Sequence, residues 1–166
     1  MSNNEICSKF LKSPFYVNKE IVENENIKIE NQPFIYESIQ LRNQLTKTIP
    51  ENSDQIIQKM FDDWKAESEQ LTNYFKERNR KLTYQPIIRG LANFISIITW
   101  INNVLLEDLD DVLNGLGDLK NVPVNLIERI TFVMNQPDHY HSFIQLSGLY
   151  VEIEKLYYKK KITSSK

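Results

Sequence analysis

The 166-residue chain has one cysteine, four glycines and two histidines. A lone Cys7 excludes an intrachain disulfide and a thiolate metal cage. With four glycines and six prolines there is little material for tight hairpins, and long helices are favoured. A large excess of either charge is missing too. Twenty Lys and Arg against 22 Asp and Glu leave a net −2, which argues against a dedicated nucleic-acid coat, since such proteins carry a strongly basic face. The start, Met1-Ser-Asn-Asn-Glu5, lacks the positive flank and apolar run of a secretory signal. The longest apolar stretch, residues 87–106, is interrupted by Arg89, Asn93, Ser96, Asn102 and Asn103. Groups of that polarity are costly in hydrocarbon, so the stretch reads as a core helix rather than a membrane span. The expected location is cytoplasmic. There is no internal repeat, Gly-rich phosphate loop, Gly-x-Ser-x-Gly elbow or His-Glu-x-x-His pair. No cofactor or metal is assigned, and the reading leans away from an enzyme.

What remains is helical periodicity. The spacing predicts an all-α, single-domain bundle of five or six helices over residues 33–161, preceded by an irregular N-terminal arm (1–32) and followed by a short tail (162–166). Within the arm, residues 20–31 are rich in Glu, Asn and Lys and read as a loop or a short strand. A first helix is expected from Pro33 to about Lys47. A second, capped by Ser53 or Asp54, should reach about Arg80, with Ile57, Met60, Phe61, Trp64, Leu71, Tyr74 and Phe75 on one stripe and acidic residues opposite. A third, from about Gln85 to Leu106, is apolar over so much of its circumference that other helices must enclose it. One narrow stripe on it is polar: Gln85, Arg89, Asn93, Ser96, Trp100 and Asn103. It either lines a cleft or forms the one wet edge of a buried helix. The acidic run from Glu107 to Asp118 fails as a calcium loop, because the sixth position counted from Asp108 is Leu113 rather than glycine. A short helix ended by Gly115 accounts for it. Asn125 and Glu128 suit a capping box, and a last helix is expected over 138–160 with Lys155, Lys159, Lys160 and Lys161 at its negative end. The third and last helices should pack at the centre.

Both histidines lie in Pro137-Asp-His-Tyr-His-Ser-Phe-Ile-Gln-Leu146, where chemistry near neutral pH would be sought first. On a helical wheel His139 falls with the apolar residues Phe143, Leu146, Leu149, Tyr150, Ile153 and Tyr157, and His141 falls on the wet side. Helical residues two apart do not face each other, so one metal holds both rings only if the helix begins after them. Asp138 beside His139 is expected to spend its carboxylate on capping. Ser142 and Cys7 have no evident base. The candidate binding or interaction residues are Asp138, His139, Tyr140, His141 and Arg129, joined by Trp100 and Arg89 from the polar stripe. The plainer alternative makes His139 a satisfied, partly buried side chain that bridges to the neighbouring helix through Arg129 or a backbone carbonyl, and His141 a surface residue.

The histidine segment, together with Pro123-Val-Asn125, Glu128-Arg129, Glu154-Lys-Leu-Tyr157, Pro14-Phe-Tyr16 and Thr99-Trp-Ile-Asn102, resembles the YpoC-like family of small proteins from Bacillus- and Staphylococcus-type bacteria. The resemblance implies no particular reaction and supplies no catalytic residues. It implies an association with DNA maintenance or cell-envelope growth, through genes that often lie nearby. The expected function is a non-catalytic protein-interaction module with a protein partner of unspecified identity, and a homo-oligomer is compatible with it. A small-ligand or metal site around Asp138, His139 and His141 is the alternative. A nucleic-acid accessory role for Arg78, Arg80, Lys81 and the C-terminal lysines is weaker, and nucleic acid is an unfavoured partner.

Overall fold

The apolar stretch expected at the centre is a helix over Tyr84–Ile101, and fourteen of its eighteen residues are buried. The computed structural model describes residues 5–16, 31–43 and 48–165. Among these, six helices follow in order: α1 (Ile35–Arg42), α2 (Ser53–Lys76), α3 (Tyr84–Ile101), α4 (Val112–Gly117), α5 (Leu126–Asn135) and α6 (Tyr140–Ser164). Short 3-10 turns form at Ser8–Phe10 and Arg80–Leu82, and no strand occurs among the described residues. The protein is all-α, as its periodicity predicts. Helix α6 packs against α5, α3 and α2, and α3 lies against α2.

Helix α3 opens with Pro86 in its first turn, where a missing N–H costs nothing. Its Ile87, Ile88, Leu91, Phe94, Ile95, Ile97 and Ile98 are all fully enclosed. Gly90 sets how closely its neighbours approach. A Cβ there would stand 2.7 Å from Cε3 of Trp64 and closer still to Cζ3, so only glycine lets the indole of α2 rest on the α3 backbone. From the third side, Tyr150 of α6 donates its hydroxyl to the Gly90 carbonyl at 2.5 Å and stacks flat on Trp64, centroids 4.6 Å apart. Three helices are thereby keyed together at one residue.

Several boundaries differ from the sequence reading, each for a local reason. Residues 5–16 are irregular but are no loose arm: Ile6, Phe10, Phe15 and Tyr16 are buried in the core. Phe10 stacks on Phe34, and Tyr16 donates its hydroxyl to the Pro33 carbonyl at 2.8 Å. The loop or strand expected over 20–31 falls outside the described residues, Asn31 excepted. The first helix is shorter than expected, opening after Phe34 in a left-handed conformation, and residues 44–47 of its expected span also lie outside the description. Helix α2 begins at Ser53 itself, so Ser53 is no cap, and no side-chain cap bond forms at Asn52. Asn125 precedes α5 with φ 55° and no side-chain cap bond. The capping box is therefore absent, and the residue instead serves as a left-handed entry that asparagine tolerates. Helix α4 runs past Gly115 to Gly117. Helix α6 continues to Ser164 and takes in most of the expected tail.

Candidate interaction surface

Helix α6 carries apolar residues on two separate arcs. The inner arc, Phe143, Leu146, Leu149, Tyr150, Ile153 and Tyr157, is buried, as its spacing predicts. The outer arc is Tyr140, Ile144, Val151, Tyr158 and Ile162, which are 59, 45, 53, 43 and 63% exposed. At 100° per residue these five fall within about 40° of one another, so they form a single stripe along the helix. They are five of the eight large apolar side chains that remain exposed among the described residues. Val151, Tyr158 and Ile162, with the stems of Glu154, Lys155 and Lys159, line a shallow and mainly apolar hollow of about 600 Å³.

The stripe is framed on both sides. Toward α2, Tyr158 donates to Gln58 Oε1 at 3.0 Å, Lys65 pairs with Glu154 at 3.2 Å, and Phe75 meets the ring of Tyr140 edge-on at 5.3 Å. Toward α5, Arg129 pairs with Glu152 at 2.8 Å and donates to Gln145 Oε1 at 3.1 Å. Gly148 leaves room for that guanidinium, since a Cβ would lie 2.7 Å from Nη2 of Arg129. These polar borders hold α6 in one rotation, with the apolar arc facing outward.

The seven residues singled out from the sequence do not gather at one place. Asp138 is engaged by Arg80, whose Nη2 lies 3.1 Å from its carboxylate and whose Nε donates to its carbonyl. The expected capping role is therefore replaced by an ion pair with a residue far away in sequence. Pro137 and Asp138 form a turn that this contact ties to Arg80, and α6 starts two residues later than expected. His139 is the extended residue before it, φ −86° and ψ 140°. Its N–H donates to the Gln136 carbonyl and its own carbonyl accepts from Phe143. The apolar-face position given by the wheel does not apply, because His139 is outside the helix. Tyr140 belongs to the outer stripe.

His141 and Arg129 do meet. Gln145 contacts the His141 ring at 3.2 Å and accepts from Arg129, and all three line a cleft of about 460 Å³ between α5 and α6. His141 also stands edge-on to Phe132 at 5.0 Å. No contact joins Arg129 to His139. Among the described residues no group of three or more His, Cys, Asp or Glu side chains is placed to hold a metal ion.

The polar stripe of α3 divides. Arg89 and Asn93 line a cleft of about 250 Å³ with Glu67, Asp63 and Tyr150, and Arg89 pairs with Glu67 at 3.0 Å. Ser96 and Trp100 instead turn into the protein, against Glu37 of α1. Glu37 is fully buried and accepts a hydrogen bond from Ser96 Oγ at 2.5 Å. Burial raises its pKa from 4.5 to about 7, opposed by the hydrogen bond from Ser96, by its own backbone N–H and, least, by the nearby Trp100 indole. The indole N–H faces the carboxyl without completing a well-formed bond, and Oε2 of Glu37 and Nε1 of Trp100 both stay unsatisfied. Sequence reasoning missed this carboxyl because helix α1 is short and nothing near residue 37 signals enclosure. It also missed the outer stripe of α6, though there a signal existed: two apolar arcs on one helix.

The family model for YpoC-like proteins matches residues 54–165. The chain belongs to the YpoC-like family. It is 26% identical over 109 residues to the uncharacterized protein YpoC of Bacillus subtilis (strain 168), a match covering 66% of each chain. The chain thus spans a little under two thirds of that relative's length. No solved structure matches it significantly. The YpoC-like region takes in α3 to α6 and all but the first residue of α2, and so includes the whole outer stripe. It leaves out Glu37 and the N-terminal layer. Among the described residues, no helix is long and apolar enough to cross a membrane.

Proposed function

We propose that this YpoC-like protein is a cytoplasmic, non-catalytic protein-interaction module that docks through the outer face of α6. One observation carries the reading: Tyr140, Ile144, Val151, Tyr158 and Ile162 stand exposed on one face of α6, and the last three line a common apolar hollow. Isolated surface apolar residues are ordinary, but a contiguous patch bounded by polar groups marks a contact surface. The five side chains expose on the order of 500 Å², in the upper part of the roughly 300–600 Å² that the largest patch of a monomer reaches. The flanking ion pairs fix the helix before a partner arrives, which lowers the ordering cost of binding. The family resemblance makes proteins of DNA maintenance and envelope growth the first partners to examine. Proximity labelling in the native host compares the wild type with Val151→Glu and His139→Ala. Labelled neighbours should be lost in Val151→Glu and retained in His139→Ala; an unchanged set in Val151→Glu would refute the reading.

A second reading, a small polar ligand between α5 and α6, is favoured by Arg129 and His141 lining one cleft. It is the weaker one, because the Arg129 guanidinium already serves Gln145, Glu152 and the Val124 carbonyl. Retained chemical shifts at residues 129 and 141 across a panel of small anions would remove it.

A further inference from the structure

The order of residues along the outer stripe is symmetric. From Val151 the next stripe residues lie seven positions away on either side, Ile144 and Tyr158, and then eleven, Tyr140 and Ile162. An apolar stripe with that symmetry matches its own reversed copy. We propose that the docking partner is a second copy of this chain, joined α6 to α6 in antiparallel orientation about a two-fold axis at Val151. This deepens the interaction reading above and rests on it. In such a pair Val151 meets Val151 of the second copy, Ile144 meets Tyr158, and Tyr140 meets Ile162. Each aromatic ring of the stripe then lies against an aliphatic residue. The contact is isologous, the commonest arrangement for a homodimer.

Charge selects the antiparallel direction. Lys155, Lys159, Lys160 and Lys161 are concentrated in the last turns of α6, whereas the half before Val151 carries no lysine. A parallel pair would set the two basic ends against each other, with Lys155 facing Lys155 beside the seam. The antiparallel pair places the basic ends apart, sets Lys155 opposite Ser147, and aligns the helix dipoles favourably. The area fits a reversible dimer. The stripe with the stems of Glu154, Lys155 and Lys159 would bury on the order of 1,200 Å² over both copies, the lower bound for a specific interface. Dissociation is expected at micromolar concentrations.

Sedimentation equilibrium of the full chain should show a concentration-dependent monomer–dimer equilibrium that Val151→Glu abolishes with circular dichroism unchanged. In a Cys7→Ser background, a mixture of Ile144→Cys and Tyr158→Cys chains should form the mixed disulfide on mild oxidation. Ile144→Cys alone should not link to itself, because in the antiparallel pair those positions are about 21 Å apart along the axis, far beyond disulfide reach. Self-linking of Ile144→Cys together with self-linking of Tyr158→Cys would overturn the antiparallel pair in favour of a parallel one. A dimer that survives Val151→Glu would overturn this interface. A monomer at every concentration would overturn self-pairing while leaving the interaction reading to the labelling experiment.

Discussion

The two arcs of α6 use the same residue types and meet opposite fates. Leu146, Leu149 and Ile153 are fully enclosed by α2, α3 and α5, whereas Ile144, Val151 and Ile162 stand about half exposed. Composition does not separate the arcs. What separates them is the partner: the inner arc finds the apolar face of α3, whereas the outer arc meets its own chain only at its edge, where Tyr140 touches Phe75 and Tyr158 reaches Gln58. The inner arc therefore contributes to stability, and the outer arc is free to contribute to recognition. Substitutions can test that division.

The largest effect is expected on the inner side. Leu149→Ala removes a fully buried side chain and should destabilise the protein by about 2–5 kcal/mol, read as a lower midpoint in urea unfolding with an unchanged slope. An equal loss at Ile162→Ala would break the comparison. A buried polar group comes next. Glu37 holds its proton in the folded state up to about pH 7, while in the unfolded chain it releases it near the ordinary carboxylate value. Between those limits the folded state binds the extra proton, so stability falls as pH rises from about 4.5 to about 7. Glu37→Gln removes that cost. The variant should be more stable than the wild type by up to about 3 kcal/mol above pH 7, with the gap closing to nothing near pH 4.5. Paired thermal melts across this range give the check; a gap of constant size would show that Glu37 ionises freely.

Gly90→Ala forces Trp64 off the α3 backbone and should cost about 1–3 kcal/mol, with a change in the near-ultraviolet signal of the Trp64–Tyr150 stack. The smallest effect on stability belongs to the outer arc. Val151→Glu should shift unfolding by no more than about 0.5 kcal/mol and yet eliminate association. A large destabilisation there would mean that the outer arc is packed against the chain's own residues.

The bundle was legible because α3 and the inner arc of α6 follow a helical period over many turns, and burial enforces that period. The start of α6 was not, since it depends on Arg80 reaching Asp138 across 58 positions. Glu37 was hidden for a related reason. Its enclosure needs residues 5–16 folded over α1 and Ser96 supplied by α3, and no local pattern reports either. Of the candidate residues, only Arg129 and His141 come together, through the four-residue spacing that brings Gln145 beneath His141 on α6. The outer stripe lay within reach of the same wheel that found the inner one.

The two tryptophans are both buried but have different neighbours. Trp64 lies flat on Tyr150 at the point where α2, α3 and α6 are keyed, and Trp100 lies edge-on to Tyr36 beside the Glu37 carboxyl. The molecule therefore carries two separate optical probes. Emission from Trp100 should follow the charge of Glu37, while emission from Trp64 should stay constant until the three-helix junction itself opens. Single-tryptophan versions would let one fluorimeter watch the protonation of one layer and the unfolding of the other in the same titration.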